Sequence, residues 1–204
     1  MIMEDAVKSH GLFKYLSPVY DIVAKISMLG QYNRLRRQLL GKITIAKGKR
    51  ILDLGSGTGY LGEKMGPADV VSADISIDML RRARLKSNGE FVVADAHRLP
   101  FREGRFDSAV SSFAMHEVTR PGEVFSEMFR TLKPGGEMAI MDVVQQTKFS
   151  KKILLELFHT FVEMRTASYV DMKEIKQAFG PAEDLNVQWE MFDLVALVWG
   201  KKKT

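Results

Sequence analysis

With 204 residues, 46% of them hydrophobic and 27% charged, the chain has the size and composition of one globular domain. No apolar run approaches the ~18–20 residues that span a bilayer, Glu4 and Asp5 stand where a secretory leader would be basic, and the lack of cysteine excludes disulfides, thiolate metal sites and cysteine nucleophiles. The net charge is +5, and basic residues come in short groups, Arg34-Arg36-Arg37, Lys47-Lys49-Arg50, Arg81-Arg82-Arg84-Lys86 and Lys201-Lys202-Lys203, which no aromatic residues interleave and which read as solvated helix faces and a frayed tail.

Residues 1–20 carry Phe13, Tyr15 and Tyr20 around Pro18, which breaks any helix. From Asp21 to about Gly41, Ile22, Val23, Ile26, Leu29, Leu35, Leu39 and Leu40 predict an amphipathic helical region interrupted at Gly30. Arg50–Leu54 reads as a buried strand, and Tyr60–Met65 as a helix closed by Gly66-Pro67. Val70–Ala73 is a second strand ending at Asp74, and Ser76 is placed to cap a helix over Ile77–Lys86. After the turn Asn88-Gly89, Phe91–Ala94 is a third strand ending at Asp95, and Phe106–Phe113 is a fourth. Pro121 opens a helix with Phe125, Met128, Phe129 and Leu132 on one face. Pro134-Gly135-Gly136 turns into a fifth strand, Glu137–Val144. Ser150 caps a helix with the stripe Ile153, Leu154, Leu157, Phe158, Phe161 and Val162, and Asp171 caps another that ends at Gly180-Pro181. Val187–Phe192 and Leu194–Gly200 read as a closing strand pair.

Strands alternating with helices imply an α/β fold: a Rossmann-like, doubly wound sheet, mostly parallel, with helices on both faces and an antiparallel closing edge. One domain is expected over 1–204, with a helical lid region at 1–45, a ligand-binding core at 46–144, and a helical cap segment plus the closing strand pair at 145–204. Ligands of such sheets lie at the carboxyl ends of the strands, where strand order reverses.

The chemistry begins at Asp53-Leu54-Gly55-Ser56-Gly57-Thr58-Gly59, where a strand ends in an acid and a glycine-rich turn follows. A ligand can lie against such a backbone. Asp74, 21 residues on, ends the second strand and is placed to accept hydrogen bonds from both hydroxyls of a ribose. Asp95 ends the third strand and is placed to accept from the exocyclic amine of an adenine. The glycine spacing is not that of a dinucleotide fold, and Asp53 would repel a phosphate and attract an ammonium. A ligand joining adenosine to an amino acid meets both conditions, and S-adenosylmethionine is that ligand.

The chain resembles the class I S-adenosylmethionine-dependent methyltransferases. The resemblance covers about residues 30–145. It rests on Ile51 to Gly59, on Asp74-Ile75-Ser76-Ile77-Asp78-Met79-Leu80, on Ala94-Asp95-Ala96, on Phe106-Asp107 with Ser111-Ser112-Phe113, and on Leu132-Lys133-Pro134-Gly135-Gly136. It implies a seven-stranded sheet whose last strand is antiparallel. It implies that Asp53 and the loop Gly55, Ser56, Gly57, Thr58, Gly59 hold the methionine end, and that Asp74 binds the ribose. Ile75 and Met79 would pack on the adenine, Asp95 and the Ala96 backbone would read its edge, and Ser112 and Phe113 would lie beside the methyl donor. Within the class, Leu16-Ser17-Pro18-Val19-Tyr20-Asp21 looks like the entry of the ubiquinone/menaquinone C-methyltransferases and their small-molecule relatives, which would set Tyr20 over the cofactor. Those quinone enzymes are expected to carry an Arg-Asn pair after the fourth strand, where this chain has Met115-His116-Glu117-Val118.

Methyl transfer from a sulfonium is driven largely by positioning, and a base is needed only where the acceptor must lose a proton. His116, just past the fourth strand, is the best-placed candidate; His10, His97 and His159 stand less favourably, and no metal-ligand spacing is present. Met115, Met141 and Met164 are candidates to line an apolar acceptor pocket. The expected function is methyl transfer to a small molecule, quinone-like or another apolar metabolite, in the cytoplasm. The alternatives are a nucleic-acid methyltransferase and a non-catalytic cofactor-binding partner. Nucleic acid is disfavoured because no Pro-Pro occurs in the chain, whereas enzymes acting on base amines place Asn/Asp-Pro-Pro-aromatic after the fourth strand. Peripheral contact with a membrane surface and the oligomeric state stay open.

Overall fold

The computed structural model describes residues 31–144, 170–180, 182–191 and 193–204. The expected lid with His10 and Tyr20, and the helix expected after Ser150 with His159 and Met164, lie outside the described residues. The elements are α1 (Tyr32–Leu40), β1 (Arg50–Leu54), α2 (Tyr60–Lys64), β2 (Asp69–Asp74), α3 (Ile77–Ala83), β3 (Glu90–Val93), β4 (Phe106–Ser112), α4 (Pro121–Thr131), β5 (Leu132–Val143), α5 (Met172–Ala178), β6 (Ala182–Glu190) and β7 (Val195–Lys202).

The strands form one seven-stranded sheet in the order β3-β2-β1-β4-β5-β7-β6. β1 to β5 are mutually parallel, and β7 runs antiparallel between β5 and β6. The expected Rossmann-like sheet is therefore observed, and its strand order reverses between β1 and β4. The carboxyl ends of these strands form one rim.

Side-chain alternation sorts the sheet into two cores. Leu52 and Leu54 of β1 join Ala109, Met138 and Ile140 in a core covered by Val124, Phe125, Met128 and Phe129 of α4 and by Ile175 of α5. Ile51 joins Val110, Ala139 and Met141 in the opposite core, covered by Tyr32, Leu35, Leu39 and Leu40 of α1 and by Leu61 of α2. α4 buries the face read from its spacing, with Pro121 in its first turn.

Ser76 and Asp171 cap as expected, accepting from the backbone N–H of Met79 at 3.4 Å and of Lys173 at 2.8 Å. α3 stops at Ala83, three residues short of the expected end. β5 starts at Leu132 rather than Glu137: Leu132 pairs with Phe106 before the register shifts to Ser108 opposite Glu137. Pro134-Gly135-Gly136 is thus a bulge inside the strand, with Gly135 at a φ of 70° supplying the bend. β6 begins at Ala182, five residues earlier than expected, because it pairs along most of β7.

Candidate functional site

β1 carries Ile51 and Asp53 to the sheet face beneath α1 and α2, while Leu52 and Leu54 face the other core. Asp53 is 1% exposed, and neither carboxylate oxygen has a hydrogen-bond partner. Its pKa is pushed up to about 7, chiefly by burial. The Arg36 guanidinium pulls it down, the Asp74 carboxylate pushes it up, and the backbone amide of Gly62, which lies outside hydrogen-bonding geometry, pulls it down least. A buried carboxylate without partners lacks a cationic or donor group.

The loop after β1 is shaped by close approach. Gly59, at a φ of 82°, meets α3 so tightly that a Cβ there would lie 2.6 Å from Ala83 Cβ and 2.7 Å from its Cα. A Cβ on Gly55 would collide with Ala114. Gly57, at a φ of 52°, faces open space, with no atom within 4 Å of where a Cβ would stand. Ser56 and Thr58 are buried, and the Ser56 hydroxyl has no hydrogen-bond partner.

Asp74 ends β2 and clasps this loop, accepting from the backbone N–H of Gly57 and of Ser76, both at 2.8 Å. Past β3, Asp95 Oδ1 accepts from the His97 backbone N–H at 2.9 Å and meets the His97 Nδ1 at 2.8 Å. Burial opposes ionisation of Asp95, but the His97 amide and ring outweigh it and hold the carboxyl below its usual range. Ala96 is half-buried beside it. Ile75 is 38% exposed at the rim, whereas Met79 is buried on the inner face of α3.

Ser112 and Phe113 are buried where β4 leaves the sheet. Phe113 takes a φ of 53°, a left-handed conformation uncommon for a bulky residue. That bend lays its ring on Tyr32, with centroids 5.0 Å apart and 27° between planes. Arg36, read from sequence as part of a solvated basic face, is instead 8% exposed. It turns inward because α1 presents Tyr32 and Arg36 one turn apart on its buried side, and the Arg36 Nη2 donates to the Tyr32 hydroxyl at 2.6 Å.

His116 sits in a single 3-10 turn after β4, 8% exposed. Its Nδ1 lies 2.6 Å from Oδ1 of Asp142, near the end of β5. Asp142 also accepts from the backbone N–H groups of Met115 and Val143, both at 2.7 Å, and is 1% exposed. In the sequence Asp142 reads only as an acid inside an apolar strand; the pairing of Ser112 with Met141 brings it to the β4 rim. Met115 and Met141 are both buried in the core. Among the described residues no cluster of His, Asp and Glu has the makings of a metal site.

Asp53, the loop, Asp74, Asp95, Ser112, Phe113 and His116 thus share one rim. The orphaned Asp53 carboxylate beside an open Gly57 fits the ammonium-bearing end of S-adenosylmethionine. Residues 52–140 match the family described as a methyltransferase domain. The demethylmenaquinone methyltransferase of Paenarthrobacter aurescens is 31% identical over 189 residues, 87% of this chain and 74% of that one. The ubiquinone/menaquinone biosynthesis C-methyltransferase of Pseudomonas putida is 34% identical over 156 residues, 71% of this chain and 61% of that one, so the match spans less than two thirds of that relative. In fold, the chain resembles phosphoethanolamine N-methyltransferase 2 of Haemonchus contortus, solved with S-adenosyl-L-methionine, with a TM-score of 0.70 at 19% identity over 86% of this chain and 53% of that one.

Proposed function

We propose, for a chain that belongs to the S-adenosylmethionine-dependent methyltransferases, methyl transfer to a small hydroxylated aromatic acceptor of the quinol type, with His116 as the base. The observation that carries this reading is the buried contact of 2.6 Å between His116 and Asp142 at the rim. The bound cofactor supplies a sulfonium methyl, an electrophile with a good leaving group. A neutral amine needs no base before attack, whereas a phenolic ring carbon becomes strongly nucleophilic only once its hydroxyl loses a proton. With Asp142 accepting from Nδ1–H, Nε2, which lies 3.7 Å from Oε1 of Glu117, is left as the basic nitrogen. The Asp142 carboxylate also offsets the charge that develops on the imidazole when Nε2 takes the acceptor's proton.

The other residues bind and orient. Asp53 would take the ammonium, Gly57 would let the methionine end lie on the backbone, and Asp74, at the end of β2, would bind the ribose. Ile75 and Met79 would flank the adenine, Asp95 and Ala96 would read its edge, and Ser112 and Phe113 would sit beside the sulfonium. The quinone class is suggested by what the two curated relatives are named for. His116-Glu117 in place of an Arg-Asn pair shifts the choice of base rather than the need for one.

The basic charge gives little support to a nucleic-acid substrate, because many of the cations are already paired. Arg50 bridges Asp69 and Glu90, Lys49 and Lys133 meet Asp107, and Arg130 meets Glu127. Among the described residues no helix is long and apolar enough to cross a membrane.

The test uses methyl-labelled cofactor with a short-chain 2-prenyl-1,4-naphthoquinol, kept reduced, alongside RNA and protein fractions of a cell extract. Label recovered on the naphthoquinol ring, and lost in His116→Gln, supports the proposal. Label confined to RNA or protein, or transfer to the quinol that His116→Gln leaves unchanged, overturns it.

A further inference from the structure

Arg36 has unmet capacity that the proposed chemistry does not use. Its guanidinium lies 3.9 Å from the ring centroid of Tyr32 and 5.1 Å from that of Tyr60. Nη2 donates to Tyr32, but Nε is buried without a partner. A guanidinium carries five N–H donors in a rigid fork, and burying it with donors unmet is costly. Asp53, on the same sheet face, is the complementary case: a buried carboxylate with both oxygens unpartnered. The two charges feel one another, yet no ion pair within 4 Å joins them among the described residues.

Two opposite, buried, incompletely satisfied charges that do not touch suit a ligand bearing both an ammonium and a carboxylate on one carbon. We propose that Arg36 receives the α-carboxylate of the amino-acid end of S-adenosylmethionine while Asp53 receives its ammonium. The inference rests on the reading that the loop after β1 holds the methionine end. The Tyr32 and Tyr60 rings hold the guanidinium plane through cation–π contact. Tyr32 stacks in turn on Phe113, so the carboxylate site is mechanically continuous with the segment beside the methyl. Arg36 is then the group that separates an intact amino-acid end from a truncated one.

The test is calorimetric binding to the full chain, with three probes: S-adenosylmethionine, its decarboxylated form, which keeps the ammonium, and methylthioadenosine, which lacks both groups. Arg36→Met is expected to weaken S-adenosylmethionine about tenfold to a hundredfold, the loss of one charge-assisted pair, to affect the decarboxylated form less, because its partner Asp53 loses a neighbouring cation, and to leave methylthioadenosine within about twofold. Asp53→Asn is expected to weaken both ammonium-bearing probes and spare methylthioadenosine. Equal weakening of all three probes by Arg36→Met, or of none, overturns the role of Arg36. If Asp53→Asn spares the ammonium-bearing probes, the reading of the loop fails instead. The wild-type preference for S-adenosylmethionine over its decarboxylated form needs no variant to fold, and its absence also overturns the proposal.

Discussion

The Nδ1 of His116 stands 2.6 Å from Oδ1 of Asp142, and both side chains are closed to bulk water. Three donors converge on that carboxylate: the imidazole and the backbone N–H groups of Met115 and Val143. Asp142 therefore fixes the turn that carries His116 as well as its ring. His116→Gln is expected to lower methyl transfer to the naphthoquinol by ~10²-fold or more, with cofactor affinity unchanged within about twofold. Asp142→Asn keeps the shape but removes the charge, and is expected to lower kcat while leaving KM for the cofactor near its wild-type value. Nitrogen NMR of the ring checks the cause. Wild type is expected to hold the proton on Nδ1, and Asp142→Asn to move it toward Nε2. An unchanged tautomer together with an unchanged kcat would reduce Asp142 to a structural cap.

Asp53 gives the cofactor site a pH dependence whose sign follows from its burial. Its folded-state pKa is about 7, well above the ordinary carboxyl value. Between about pH 4 and 7 the folded, ligand-free protein therefore binds a proton that the unfolded chain does not, and this group lowers stability as pH rises through that window. An ammonium ligand favours the ionised form. Affinity for S-adenosylmethionine is accordingly expected to climb by up to about tenfold per pH unit from pH 5 to 7, with a proton released on binding. Calorimetry in buffers of different ionisation enthalpy measures that proton, and Asp53→Asn is expected to abolish both effects.

The glycines of the loop separate packing from binding. Gly59→Ala forces a Cβ onto the Ala83 backbone at 2.7 Å, in a left-handed conformation. It is expected to destabilise the fold by ~2–4 kcal/mol, seen as a lowered thermal midpoint without ligand. Gly57→Ala meets no atom, so its cost is that of a positive φ alone, ~1 kcal/mol. Its Cβ points into the space where the ligand is proposed to lie, so cofactor affinity is expected to fall far more than stability.

The rim was legible in the sequence because each acid or histidine lies at or within a few residues of the carboxyl end of a strand: Asp53, Asp74, Asp95 and His116 need only the strand ends to be placed. Asp142 was not, since it reads as an acid within an apolar strand, and only the pairing of β4 with β5 brings it to His116. Arg36 was hidden for a different reason. Arg34-Arg36-Arg37 has the composition of a solvated face, and the inward turn of Arg36 depends on aromatic rings that α1 and α2 bring together in space. The bulge at Pro134-Gly135-Gly136 reads locally as a turn, because a proline and two glycines carry no signal of the strand that resumes on both sides.

That bulge also bears on acid stability at the rim opposite the site. Asp107, near the start of β4, accepts from the Arg50 backbone N–H at 3.0 Å, from Lys133 at 2.9 Å and from Lys49 at 3.3 Å. Burial opposes its ionisation, but these donors outweigh burial and hold the carboxyl at about 2. A carboxyl depressed below its unfolded value contributes stability that is fully present above the unfolded pKa, near 4, and is lost as pH falls through about 2. Both lysines are nearly half-exposed, which reduces the contribution to ~1–2 kcal/mol at neutral pH. Asp107→Asn is expected to lower the thermal midpoint by about 2–6 °C at pH 7, and the gap from wild type to close between pH 4 and 2. Chemical denaturation across that range measures it, and a gap that persists at pH 2 would show that packing of β1 against β4, not the ionised carboxylate, is what the substitution removes.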